Sequence, residues 1–63
     1  MEFCVDYYVI AHGRRPGGRG MWAFATIRNP DDNEVFFTFG GYGEAKAEAR
    51  RHFAGKKKVY VLP

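Results

Sequence analysis

A loop of glycine and arginine is the part of this sequence best suited to holding a charged ligand. Residues 13–20 read Gly-Arg-Arg-Pro-Gly-Gly-Arg-Gly and contain three arginines and no acidic residue. Guanidinium groups and the free backbone N–H groups of a loop both bind phosphate oxygens. The loop is not a Walker A sequence, because no Gly-Lys-Ser/Thr follows it. We therefore interpret Arg14, Arg15 and Arg19 as candidate phosphate contacts, with a solvated hairpin loop as the alternative.

Further basic residues extend this possible surface. They are Arg28, Lys56, Lys57 and Lys58, which would form one positive patch with the loop if all of them lay on the same side of the fold. The formal net charge is +3 and the sequence pI is about 9.3. A moderately basic chain of this kind allows a nucleic-acid or acidic protein partner without requiring either.

The sequence has few residues arranged in a way that would allow catalysis or metal binding. The chain has no serine, and Cys4 is its only cysteine, so no serine nucleophile, internal disulfide or cysteine metal cluster is available. Asp31 and Asp32 lie in a Pro-containing turn without the spacing of a calcium loop. His12 and His52 lack partners at the spacing of a zinc site. We predict a protein that is not an enzyme and that uses no metal or cofactor.

Aromatic residues make up 17% of the 63 residues, more than one small core easily absorbs. Strand alternation predicts an outward aromatic set: Tyr8, Trp22, Phe24, Phe36 and Tyr60. Bases could stack on Tyr8, Trp22 and Phe24, or a protein interface could bury the whole set. If the register is shifted by one residue, several of these rings belong to the core instead.

Four strands and one helix would position these residues. Alternating apolar residues predict strands over 3–11, 21–28, 34–39 and 58–62. In the first three strands the inward sets are predicted to be Phe3, Val5, Tyr7, Val9 and Ala11, then Met21, Ala23, Ala25 and Ile27, then Val35, Phe37 and Phe39. Residues 29–33, Asn-Pro-Asp-Asp-Asn, read as a hairpin turn between the second and third strands.

The helix is predicted over residues 43–54, which are rich in Glu, Ala, Lys and Arg. Its apolar stripe would be Tyr42, Ala45, Ala49 and Phe53, and Gly55 is a plausible C-cap. The order is then β-β-β-α-β. We expect a single α+β domain over residues 1–63, an antiparallel meander sheet with one helix packed on one face.

Nothing in the sequence resembles a signal peptide, and its apolar runs are far shorter than the roughly 20 residues of a membrane-spanning helix. The lone Cys4 fits a reducing compartment. We therefore expect a cytoplasmic protein without a membrane partner.

The predicted β-β-β-α-β order resembles the first half of the ribonuclease H fold. Asp6 on the first strand and Glu44 or Glu48 on the helix occupy positions where that fold carries metal-binding carboxylates, but the fourth strand ends Val61-Leu62-Pro63 without one. The order is also similar to truncated versions of that fold, such as the N-terminal domain of HicB-type antitoxins, through Gly40-Gly41-Tyr42-Gly43-Glu44-Ala45 leading into the helix. This second resemblance implies a domain that self-associates and binds a partner without catalysis.

The sequence therefore predicts a small binding module, associated with nucleic acid through its basic loop and aromatic sheet face. The alternative is a protein-interaction module, a homodimer of the antitoxin kind or a phage-type inhibitor of a host protein, with the outward aromatic set as its interface. Phosphate contacts weaken steeply with salt, whereas an apolar interface is nearly indifferent to it.

Overall fold

The computed structural model describes residues 1–63 and contains two α-helices and four strands. The elements are β1 (Glu2–Cys4), α1 (Asp6–His12), β2 (Arg19–Ala25), a short 3-10 helix (Asp32–Glu34), β3 (Phe36–Gly41), α2 (Tyr42–His52) and β4 (Lys58–Val61). The prediction of an α+β fold is confirmed. The predicted order is wrong, because a second helix separates β1 from β2 and gives β-α-β-β-α-β.

The four strands form one mixed sheet in the order β1-β4-β2-β3. β4 lies between β1 and β2, parallel to the first and antiparallel to the second. β2 and β3 form an antiparallel hairpin around the predicted turn region. The predicted antiparallel meander is therefore wrong, since β1 does not pair with β2 and the last strand is inserted between them.

The first predicted strand, 3–11, is a strand only over its first residues and becomes α1 at Asp6. The helix ends at Gly13, which has φ 71° and donates its N–H to the carbonyl of Val9. A glycine adopts this left-handed conformation at little cost. The segment also fits a helix, because Val5 and Tyr8, one from each predicted strand face, are three positions apart and both reach the core.

The second helix confirms the prediction for 43–54 with slightly different ends. Ala45 and Ala49 are fully buried in the core, and Tyr42 and Phe53 pack against it from either end. Two alanines on this stripe let the helix backbone approach the sheet closely. The helix C-cap is Phe53; the predicted cap Gly55 lies two residues beyond, with φ 90°.

The core lies on one side of the sheet and holds the bulky side chains of β2. It consists of Tyr8, Trp22, Phe24, Ala45, Ala49, Val59 and Val61. The strand pairing puts Phe24 opposite both Phe36 and Val61, so these three side chains share the core side. In so small a chain, burying large rings removes the most apolar surface from water, because each ring covers about 150–250 Å².

The predicted outward orientation of Tyr8, Trp22 and Phe24 is therefore wrong. These residues are 7%, 5% and 0% exposed. Phe36 also faces the core and is half-buried. Only Tyr60 of the outward set lies on the opposite side, because it pairs with Ala25, one step out of phase with Phe24.

Candidate functional site

The side of the sheet away from the core, called the open face below, carries large exposed apolar side chains. Met21 pairs with Phe39, and Ala23 pairs with Phe37, so all four side chains lie together on β2 and β3. Met21, Phe37 and Phe39 are 60%, 54% and 76% exposed. Because Ala23 is small, it covers little of the Phe37 ring opposite it. An exposed group of this kind is typical of a binding surface.

Phe37 and Phe39 were predicted to face inward, and that prediction is wrong. The segment Phe36–Phe39 is aromatic on both sides of the strand, so alternation alone does not decide which side is buried. The decision comes from α2, which packs over the Phe36 side. The Phe36 ring lies 6.1 Å from Phe53 and stacks on His52 at 4.2 Å, measured between ring centroids.

Two tyrosines and two cations continue the open face toward β4. The rings of Tyr7 and Tyr60 lie 6.0 Å apart. The guanidinium of Arg28 lies 4.7 Å from the Tyr7 ring centre, and the ammonium of Lys58 lies 5.3 Å from that of Tyr60. Cations at these distances are attracted to the ring faces. Arg28 and Lys58 thus add positive charge beside aromatic rings.

A cavity of about 290 Å³ adjoins the exposed apolar group. It lies between the end of α1, the glycine-arginine loop, the start of β2 and the end of the chain, and its lining includes Met21, Ala23 and Phe37. The ionisable basic side chains in the lining are those of His12, Arg14 and Arg19, and no acidic side chain contributes. The cavity therefore combines an apolar wall with groups that bind anions.

The three loop arginines differ in their surroundings. Arg19 lies 3.5 Å from the Glu44 carboxylate, a pair between well exposed side chains that adds little to stability. Arg14 borders the cavity, and neither Arg14 nor Arg15 forms an ion pair. Arg15 acts electrostatically on Tyr42. Burial raises the pKa of Tyr42, the positive charge of Arg15 opposes this, and Tyr8 adds to it.

His12 joins the cavity to the core. Its ring stacks on Tyr8 with 4.1 Å between centroids, and Tyr8 in turn lies 5.8 Å from Trp22. Since Tyr8 reaches the core and the neighbouring Tyr7 contacts Tyr60, α1 contributes one ring to each side of the sheet. This placement fixes the cavity wall to the most buried part of the molecule.

The basic residues Lys56, Lys57 and Lys58 do not join the loop in one positive patch. Lys58 pairs with Glu2 at the start of β1 and approaches its carboxylate at 3.9 Å. The other end of β4 is the one near the loop, because Leu62 donates its N–H to Ala23 in β2. The two basic groups therefore lie at opposite ends of the sheet, as follows from the antiparallel pairing of β2 and β4.

The carboxylates singled out by the ribonuclease H resemblance have local roles. Asp6 is exposed in the first turn of α1, and Glu44 accepts the Gly41 N–H at the start of α2 at 3.1 Å. Glu48 pairs with Arg51 on the helix surface. No group of three or more His, Cys, Asp or Glu side chains comes together in the structure. Neither helix has the length and apolar character that crossing a bilayer requires.

No protein-family model matches this chain, and no curated protein or solved structure matches it either. The predicted strand order that underlies the resemblance to ribonuclease H-like domains is also not the observed one. The function of the open face is therefore inferred from its own geometry and chemistry.

Proposed function

We propose that this protein is a non-catalytic module that binds single-stranded nucleic acid on the open face of its sheet. One observation carries the proposal: the exposed side chains of Met21, Phe37 and Phe39 adjoin a cavity whose charged side chains are those of Arg14 and Arg19. Nucleic acid offers the matching pair of groups, apolar base faces and phosphate anions, at short repeating distances.

The bases would stack on Phe37 and Phe39. Stacking of a base on an aromatic side chain is worth about 1–3 kcal/mol and tolerates any sequence, because every base has a flat π surface. Bases in a duplex are already stacked on each other, so rings on an open sheet surface favour a single strand. This role passes to Phe37 and Phe39 from Tyr8, Trp22 and Phe24, which are buried.

The phosphates would be held by Arg14 and Arg19 at the cavity. A guanidinium group offers two parallel N–H donors to one phosphate, which orients the strand as well as attracting it. Arg28 lies beside the aromatic rings farther along the same face and extends the positive potential. Lys56 and Lys57, at the other end of the sheet, would contribute only through long-range attraction.

The protein-interaction alternative remains a proposal for the same surface. Its predicted interface was Tyr8, Trp22, Phe24, Phe36 and Tyr60, of which the first three are buried. A protein partner would instead have to cover Met21, Phe37 and Phe39. The basic cavity beside them favours an anionic ligand over an apolar one.

An NMR titration with a mixed-sequence single-stranded oligonucleotide at low salt tests the proposal. We expect shifts at Phe37, Phe39, Arg14 and Arg19, and we expect them to disappear as salt rises because phosphate binding releases counterions. Shifts spread evenly over the surface, or none at all, would contradict the proposal. Shifts that persist at high salt would point to an apolar ligand.

Paired variants separate a specific site from general attraction to a basic protein. Phe39→Ala should weaken binding by roughly tenfold, given about 1–3 kcal/mol per stacked base, whereas Ile10→Ala should not change it. Ile10 is a suitable control because its side chain is 78% exposed on α1 and does not line the cavity. Arg14→Ala should weaken binding more than Lys57→Ala, although each removes one positive charge. Equal losses within either pair would argue against this site.

A further inference from the structure

The outer edge of β3 has backbone groups without partners. β3 is the last strand of the sheet. Tyr42 donates its N–H to the carbonyl of Gly18, one step beyond the Arg19–Gly41 pair. In an antiparallel ladder every second residue faces the neighbouring strand, so Thr38 faces β2, whereas Phe37 and Phe39 direct their backbone N–H and C=O groups away from it.

The hydrogen bond of Gly41 agrees with this alternation. Its N–H donates to the side chain of Glu44 and not to β2, as expected for a residue in phase with Phe37 and Phe39. The backbone N–H and C=O groups of Phe37 and Phe39 thus remain available at the edge. The rings of the same two residues are exposed on the open face.

β3 lacks the charged residues and prolines that usually keep another strand from adding to an edge. The strand reads Phe-Phe-Thr-Phe-Gly-Gly and contains no charged residue and no proline. Edge strands are usually protected by lysine, proline, a bulge or a covering element. An edge without such protection, six residues long, is suited to pairing with a strand of another chain.

We propose that two copies of this protein pair through β3 in antiparallel fashion, with a twofold axis at Thr38. In this register Phe37 of each copy lies opposite Phe39 of the other, and all four of their backbone N–H groups find carbonyl partners. A register centred on Phe37 or Phe39 would leave some of these groups unpaired or would compete with Glu44 for Gly41.

The side chains of β3 match themselves in that register. On the open face two Phe37–Phe39 pairs form, and at the axis Thr38 meets Thr38 of the second copy. Aromatic pairs and Thr–Thr pairs are among the favourable cross-strand combinations. On the core side Phe36 lies opposite Gly40, which has no side chain; a ring beside an edge glycine is a stabilising arrangement. The strand is therefore self-complementary on both faces.

The exposed phenylalanine rings supply only part of the area that a small dimer requires. A whole phenylalanine covers roughly 200 Å², so rings that are 54% and 76% exposed leave about 260 Å² uncovered in each copy. Two copies have about 500 Å² of exposed phenylalanine surface, and edge pairing covers only the part where the rings meet across the two strands, against the roughly 1,200 Å² at the lower limit of stable interfaces. The strand backbone and the 60% exposed Met21 add to this.

Pairing through the edge leaves the open face accessible. The two sheets would join into one of eight strands that carries four phenylalanine rings on one side. Because the strands are antiparallel, the two glycine-arginine loops would lie toward opposite ends. The inference does not depend on the proposed nucleic-acid function, since the edge groups of β3 are unpaired whatever the open face binds.

Disulfide crosslinking at the axis tests the register. Residues facing each other at a non-hydrogen-bonded position have Cα atoms about 4.5 Å apart, within the range of a disulfide. We would replace the single native cysteine with alanine (C4A) and then introduce Thr38→Cys. The control is Thr26→Cys in the same background, beyond the end of β2. We expect the Thr38→Cys protein to crosslink at least tenfold faster. Equal rates would overturn the proposed register.

Light scattering of the unmodified protein tests the dimer itself. The chain has a mass of 7.2 kDa, and we expect twice that value without nucleic acid and at high salt, where phosphate binding is suppressed. A monomer mass at millimolar concentration would overturn the proposal without affecting the nucleic-acid hypothesis.

Amide exchange gives a second measure of dimer formation. The N–H groups of Phe37 and Phe39 should become protected from exchange as the protein concentration rises, while the N–H of Thr38 is protected throughout. Fast exchange at both phenylalanines at high concentration would also overturn it.

Discussion

Trp22 donates its indole N–H to the backbone carbonyl of Gly40 at 3.0 Å, across the pair formed by β2 and β3. The indole ring lies between Tyr8 of α1 and Tyr42 of α2, at 5.8 Å and 4.9 Å between ring centres. One side chain therefore contacts both helices and the edge strand. A ring that is so placed contributes to stability and, at 5% exposed, offers no open face on which a base could stack.

Replacing Trp22 should destabilise the protein strongly. Trp22→Ala should lower the free energy of unfolding by about 3–5 kcal/mol, as for other large buried rings, which is most of the stability that a chain of this size can have. Trp22→Phe keeps most of the packing and loses the hydrogen bond to Gly40, so a smaller loss of about 1–2 kcal/mol is expected. Urea unfolding followed by circular dichroism measures both. A loss below 1 kcal/mol for Trp22→Ala would mean that this ring is not central to the core.

Helix α2 and strand β4 could be predicted from the sequence because their patterns admit one interpretation. The spacing of Tyr42, Ala45, Ala49 and Phe53 fits only a helix, and β4 is a short β-branched and aromatic segment. Residues 3–11 admit two interpretations, since their apolar side chains satisfy both a strand and a short helix. Contact of Tyr8 with Trp22 decides between them, and that contact joins residues far apart in sequence.

The candidate site was predictable in part. Composition identifies Arg14, Arg15 and Arg19 as phosphate-binding candidates, because a basic glycine-rich loop is visible in the sequence, but it does not show that only Arg14 and Arg19 line the cavity. The aromatic partners Phe37 and Phe39 could not be identified, because β2 and β3 are apolar on both sides. Which side is buried depends on where α2 packs. The strand order that puts β3 at the edge is likewise a property of the whole fold.

Ala49 should tolerate no larger side chain. It is fully buried in the core, where α2 packs against the sheet. Ala49→Leu should therefore lower the free energy of unfolding by about 1–3 kcal/mol through overpacking. Ala11→Leu, at an exposed position of α1, is the matched control and should stay within about 0.5 kcal/mol of the original protein. Thermal unfolding of the two variants side by side would show the difference, and equal effects would contradict the packing of α2 described here.

Replacing Glu44 should lower the stability of α2 and raise the affinity for an oligonucleotide. Its carboxylate accepts the Gly41 N–H and lies 3.5 Å from Arg19. Glu44→Ala should cost about 1 kcal/mol of stability through the lost helix cap. Glu44→Gln keeps an acceptor oxygen and should cost less. Both variants free Arg19 from a competing anion, so oligonucleotide affinity at low salt should rise several-fold in fluorescence anisotropy. An unchanged or lower affinity would exclude Arg19 from the phosphate site.

Stability should fall in alkaline solution through the ionisation of Tyr42. Burial raises its pKa above the ordinary value of 10.0, and the charge of Arg15 only partly opposes this. A raised pKa in the folded state favours the neutral phenol, so this contribution is fully present below about pH 10 and is lost as the pH rises through the raised pKa.

Urea unfolding of the original protein and of Tyr42→Phe, from neutral to strongly alkaline pH, isolates this effect. The difference in their midpoints at neutral pH reports the loss of the hydroxyl itself, and any change in that difference above about pH 10 reports the ionisation of Tyr42. We expect the original protein to lose more stability than the variant. Arg15→Ala, which removes the opposing charge, should move the phenolate absorbance of Tyr42 to still higher pH. Parallel stability curves for the original protein and Tyr42→Phe would show that this phenol is solvated and not packed against Trp22.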